Sequence, residues 1–173
     1  MYITGQIIGI VVTVVCILSA QLKKKWQMLI VSLTANALQS LAYLLIEGGF
    51  TSAMVLCFVA VLQCFVTLVH VLHEKKPPLY EKIVFLILFP AAGLLTYTTP
   101  LDLFSIAGAV FFMLGTFQRE PQHVRMFGVA NCLTWMVYNA ITLNTAIFTQ
   151  IFSLISTLIA LYRYRGTREV TTA

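Results

Sequence analysis

The sequence predicts an all-α membrane protein of seven transmembrane helices, and three observations carry that prediction. The 173 residues are 60% apolar and only 10% charged, whereas a soluble domain carries about 25% charged residues. The apolar residues come in long runs rather than as stripes on otherwise polar helices, and runs of about 20 residues are membrane spans. All eleven basic residues fall in alternate connections. Lys23, Lys24 and Lys25 lie between the first and second runs, and Lys75, Lys76 and Lys82 between the third and fourth. Arg119 and Arg125 lie between the fifth and sixth, and Arg163, Arg165 and Arg168 after the seventh. Basic residues collect on the cytoplasmic side of short loops. The N-terminus is therefore expected outside and the tail inside, and the clean split favours seven spans over six.

The first span, Gly5–Leu22, is followed by positive charge and not preceded by it. That is the reverse of a cleavable signal peptide, so the span is expected to be retained. The second and third are Trp26–Ile46 and Thr51–His73. The fourth, Ile83–Tyr97, is the weakest: its apolar stretch is short and holds Pro90 and Gly93, a composition that also suits a re-entrant segment. If it did not cross, Arg119, Arg125, Arg163, Arg165 and Arg168 would all lie outside. The charges therefore make it a crossing, kinked or tilted near Pro90. The fifth, sixth and seventh are Leu101–Phe117, Val124–Leu143 and Thr145–Tyr162. Trp26, Tyr80, Tyr97, Tyr162 and Tyr164 lie near span ends, where amphipathic rings favour the interface.

An internal repeat fits the same count. Ser19-Ala20-Gln21 closes the first span as Thr116-Phe117-Gln118 closes the fifth, each followed by a basic connection. In the next spans Asn36 and Tyr43 match Asn131 and Tyr138 at one constant shift, as Gln27, Ala35 and Leu38 match Gln122, Ala130 and Leu133. Three crossings leave the chain on the wrong side for a second copy in the same orientation, and one further crossing corrects this. The expected plan is 3+1+3, two parallel triple-helix bundles joined by a linker helix. Residues 1–75 form the first repeat, 76–100 the linker loop and fourth helix, and 101–173 the second repeat with a short cytoplasmic tail.

Polar side chains within the spans turn away from hydrocarbon. Asn36, Gln39, Ser40 and Tyr43 stand at i, i+3, i+4 and i+7, one helical face, and Asn131, Thr134, Trp135 and Tyr138 repeat the spacing. Asn36 lies about 15 Å along its helix from Trp26, near mid-membrane. Asn36, Gln39 and Asn131 are the candidate hydrogen-bonding residues of a solute site, with Trp135, Tyr43 and Tyr138 as stacking walls. The competing reading is that these amides and hydroxyls only bridge helices. Gln63, Thr67 and His70 on the third span, and Gln150, Ser153 and Thr157 on the seventh, either line the same cavity or bridge helices.

Several chemistries are disfavoured. No carboxylate lies mid-span, which disfavours a proton-driven pump. The seventh span holds no Lys for a retinal Schiff base, and neither a phosphate-binding loop nor a hydrolase or metalloprotease motif occurs. No enzyme activity and no cofactor are expected. Cys16, Cys57, Cys64 and Cys132 lie within spans and form no Cys-x-x-Cys pair. They read as small apolar residues, with redox or metal chemistry the lesser alternative. His70, His73 and Glu74 share a helical face as metal ligands would, but lack a further ligand, and a metal is not expected. The net charge of +5 is accounted for by basic residues flanking spans, so nucleic acid is not an expected partner. The expected partners are the lipid bilayer and a small polar solute, and a homo-oligomer stays open.

Ser19-Ala20-Gln21, Lys23 to Lys25 and the stretch Leu44–Met54 resemble the bacterial inner-membrane YgjV family, a resemblance that covers nearly the whole chain. The 3+1+3 plan with an Asn matched at mid-depth resembles the wider SWEET and PQ-loop superfamily of sugar and small-solute carriers. The first resemblance implies a multi-pass inner-membrane protein. The second implies a facilitative carrier with its solute between two triple-helix bundles, and its pocket part rests on Asn36, Asn131 and Trp135. Such carriers have hinge prolines in the first two helices of each unit, and here the first, second, fifth and sixth spans hold none. Pro121 is expected in a loop, which leaves Gly5, Gly9, Gly108, Gly115 and Gly128 to give flexibility or close packing. The alternative to a carrier is a non-transporting structural or interaction membrane protein.

Overall fold

The computed structural model describes residues 2–142 and 146–165. The expectations that fall on Leu143, Thr145 and Arg168 lie outside the described residues. Among those described, the chain forms seven helices and no strand: α1 (Tyr2–Gln21), α2 (Lys25–Glu47), α3 (Ser52–Leu72), α4 (Leu79–Leu95), α5 (Asp102–Thr116), α6 (Pro121–Ile141) and α7 (Ala146–Arg163).

Local chemistry sets the boundaries. Gly48 ends α2 in the left-handed region at φ 71°, where a residue without Cβ is unstrained, and its N–H bonds back to the Leu44 carbonyl. The Thr51 hydroxyl accepts the Met54 N–H and caps α3. Pro121, expected in a loop, is instead the first residue of α6, where its missing N–H costs nothing because first-turn donors have no helical partner. His123 and Arg125 follow it on the first turns of the helix. α4 runs through Pro90 as one helix.

α1, α2, α3 and α7 are long and apolar enough to cross a membrane. α4 and α5 have 17 and 15 residues, and α6 has 21 but carries Gln122, Arg125, Asn131 and Asn139. Large aliphatic side chains such as Ile7, Val14 and Leu18 on α1, and Val84 and Ile87 on α4, are exposed, an outer surface suited to lipid.

The principal neighbours run α1–α2–α3–α5–α6–α7 and back to α1, with α4 packed outside against α3 and α5. α2 separates α1 from α3, and α6 separates α5 from α7. The closed three-helix bundle that the carrier resemblance implied is therefore not the main packing relation: each set of three is an arc. Leu56, Phe85, Phe89, Ile106 and Met113 form an apolar core where α3, α4 and α5 meet. Any Cβ on Gly93 would run into Ile106, so glycine there lets α4 and α5 approach closely.

Contacts between helix ends show how the helices alternate. Arg125 at the start of α6 bonds carbonyls at the end of α1, and Gln122 bonds Leu161 near the end of α7. His70 near the end of α3 pairs with Glu81 at the start of α4, Nε2 to Oε2 2.8 Å, and Lys82 lies over the Phe117 ring just past α5. The basic connections therefore gather at one end, called here the basic end. At the opposite end Asp102 of α5 accepts hydrogen bonds from Ser52 at the start of α3 and from the Thr98 and Thr99 N–H groups.

Candidate functional site

Six helices in a ring surround a central cavity of ≈ 200 Å³. The α2 wall is one helical stripe, Lys25, Met28, Leu29, Ser32, Asn36, Gln39 and Tyr43, at the i, i+3, i+4, i+7 spacing of a single face. Facing it, α6 contributes Arg125, Gly128, Asn131, Cys132 and Trp135. α7 adds Gln150, Ser153 and Thr157, so the seventh-span stripe faces the cavity. The third-span stripe does not. Gln63 donates to the Met113 carbonyl at 3.1 Å and ties α3 to α5, while His70 pairs with Glu81. His70 is thus engaged away from His73 and Glu74, and among the described residues no group of three His, Cys, Asp or Glu could hold a metal ion.

Of the six candidate site residues, Asn36, Gln39, Tyr43, Asn131 and Trp135 are brought together around the cavity. Tyr138, expected as a wall, stands behind Trp135 instead, edge to face at 5.6 Å and 82°. Tyr43 and Trp135 stack at 6.1 Å with planes 25° apart, and the Tyr43 hydroxyl donates to Asn139 Oδ1 at 3.1 Å. Tyr43 and Trp135 line the part of the cavity away from the basic end. Gly108 makes their position possible: a Cβ there would lie 2.7 Å from Trp135 Nε1.

The amides are not equivalent in their bonding. Asn36 Nδ2 donates to the Ser32 carbonyl one turn back at 2.8 Å. Asn131 Oδ1 is buried and accepts no hydrogen bond. Gln39 is only 8% exposed, and no hydrogen bond satisfies its amide among the described residues. Buried polar groups are ordinarily paired, and amides facing a cavity without protein partners are ready to pair with what enters it.

At the basic end, Arg125 is 2% exposed. Its guanidinium donates to the Ala20 and Leu22 carbonyls at 3.2 and 2.8 Å and to Gln122 Oε1 at 3.0 Å, and lies 4.7 Å from the Tyr164 ring centroid. The Tyr164 hydroxyl donates to the Gln21 carbonyl at 3.2 Å. Carbonyls left open at the end of α1 are thereby satisfied by α6 and α7. The sequence reading assigned Arg125 and Lys25 only to topology. Their place in the cavity was readable by extending each stripe: Lys25 is seven residues before Ser32, and Arg125 seven before Cys132.

A ring of helices with an apolar exterior, around an interior where a few polar side chains stand among apolar ones, defines a helical membrane protein. The family model for a bacterial inner membrane protein, Imp-YgjV, matches residues 3–168, and the chain belongs to that family. No curated protein and no solved structure matches it.

Proposed function

We propose that the chain is a facilitative carrier of a small polar solute, sugar-like or similar, bound in the central cavity by Asn36, Gln39 and Asn131 against Tyr43 and Trp135. In this reading all seven helices cross the membrane in a 3+1+3 plan, with the N-terminus outside and the C-terminus in the cytoplasm. The two repeats, α1–α3 and α5–α7, are arcs joined by α4. The order of neighbours supports the repeat: α1–α2 corresponds to α5–α6, α2–α3 to α6–α7, and the α3–α5 seam to the α7–α1 seam. The short and polar helices are also accommodated, since polar groups of α6 such as Arg125 and Asn131 turn inward and not to lipid.

The observation that carries the proposal is the buried Asn131 oxygen without a partner on the wall of the central cavity. The competing reading, a non-transporting interaction protein, draws on cross-helix hydrogen bonds such as Thr13 to Thr149 at 2.7 Å and Gln21 to Ser156 at 2.9 Å. Those bonds account for the α1–α7 seam but not for Asn131 or Gln39. The test is uptake of radiolabelled glucose, xylose, glycerol and lactate into proteoliposomes. Protein-dependent uptake that Asn131→Ala removes, in a variant that still folds and inserts, is the expected result. Uptake unchanged in that variant, or no protein-dependent uptake of any of the four, contradicts the reading.

A further inference from the structure

We infer that the cavity selects small organic anions, drawn in at the basic end by Lys25, an inference that rests on the carrier reading. Two cations, Lys25 and Arg125, line the cavity, and no Asp or Glu does among the described residues. Of the acids at the same end, Glu81 pairs with His70, Glu120 lies 3.7 Å from His123, and Glu74 is exposed and does not line the cavity. Arg125 directs donors to α1 carbonyls and Gln122 and so holds the wall together.

Lys25 differs from its two neighbours. Lys24 is exposed, and Lys23 lies over the Tyr164 ring, whereas Lys25 is part-buried on the cavity stripe of α2. No carboxylate pairs with it among the described residues, and the charges beside it, Lys82 and Arg119, are of its own sign. It also occupies the first residue of α2, a helix with no acidic residue in its first turn and no side-chain cap from Lys24. A cation at a helix N-terminus opposes the helix dipole, so an anion there gains from the ammonium, the dipole and the open N–H groups together. The second observation lies deeper on the same stripe. Gln39, more than nine-tenths buried, lines the cavity with no hydrogen bond to its amide among the described residues, and the Asn131 oxygen on the facing helix needs a donor. A short carboxylate bearing a hydroxyl or amine fits this order: charge attracted at the mouth, then polar groups satisfied at mid-depth.

Charged thiol reagents test the inference without knowledge of the natural solute. Ser32 lies on the stripe between Lys25 and Asn36, so Ser32→Cys places a thiol on the path. The probes are the anionic sulfonatoethyl and cationic trimethylammonioethyl methanethiosulfonates, applied in neutral maltoside micelles so that lipid charge has no part. Each rate is divided by that with free mercaptoethanol and read by peptide mass spectrometry. A field focused in a cleft raises anion encounter by about 10-fold or more. The normalised anion-to-cation ratio at Ser32→Cys should therefore be about 10, fall at least about threefold on adding Lys25→Gln, and hold with Lys24→Gln. Cys16, which lines the same cavity, gives the same readout in the unmodified chain should Ser32→Cys disturb folding. A ratio near one with both reagents reacting overturns the anion inference and leaves the carrier reading standing. A raised ratio indifferent to Lys25→Gln overturns the role of Lys25. No reaction with either reagent overturns both the inference and the cavity it rests on.

Discussion

At the scale of single residues, the outer wall of the cavity depends on one missing side chain. Gly108→Ala gains about 0.5–1 kcal/mol of helix propensity, but its Cβ would lie 2.7 Å from Trp135 Nε1 and 2.8 Å from Thr134 Oγ1. Overpacking of that kind costs about 1–3 kcal/mol, so the net effect should be a lower melting temperature in detergent; an unchanged or higher one would mean that Trp135 has room to move. Tyr43→Phe tests the neighbouring bond. It removes the donor to Asn139, whose Nδ2 is already buried without a partner. Bonds between membrane helices average about 0.6 kcal/mol with a maximum of about 1.7, so Tyr43→Phe should lower stability by about that much. The Gly108 constraint was not legible in the sequence, because which glycine meets which aromatic depends on the pairing of α5 with α6.

At the scale of helices, the spacing of apolar runs located every element to within a few residues. Apolar length is a local property, and every run but the sixth ends within about three residues of Gly, Pro or an acidic or basic residue, the sixth ending at Asn144. Pro121 was misplaced for a related reason: the start of α6 is polar, so the run of apolar residues began after the helix did. Arg125 shows what that polar turn does. By bonding the last carbonyls of α1, it joins the first helix to the sixth and seventh. Hydrogen bonds to charged groups contribute about 1.5–3 kcal/mol each. Arg125→Met should therefore destabilise the protein by about 2–4 kcal/mol in thermal or denaturant unfolding, while Arg163→Met, on an exposed residue, stays within about 0.5 kcal/mol. Equal effects of the two substitutions would show that the α1 carbonyls do not depend on Arg125.

At the scale of the whole molecule, six helices form a ring with the fourth outside it, and the cavity exists because the ring is not filled. The sequence could pair Asn36 with Asn131, since both sit on amphipathic stripes at matched positions. It could not tell that α2 lies between α1 and α3, because helix order in a ring is set by long-range packing that leaves no local period. For the same reason Tyr138, matched to Tyr43 by the repeat, turned out to stand behind Trp135 and not on the wall. The reading as a carrier requires water and solute at mid-depth, and water is what a thiol needs to react with a maleimide. The most direct measurement is labelling by a small water-soluble maleimide of Asn36→Cys, Asn131→Cys and Ile30→Cys, the last on the exposed apolar face of α2. The account predicts that the two cavity positions label in membranes and that Ile30→Cys does not. Silence at both Asn36→Cys and Asn131→Cys, in variants shown to be folded, would mean a dry interface and would contradict the account.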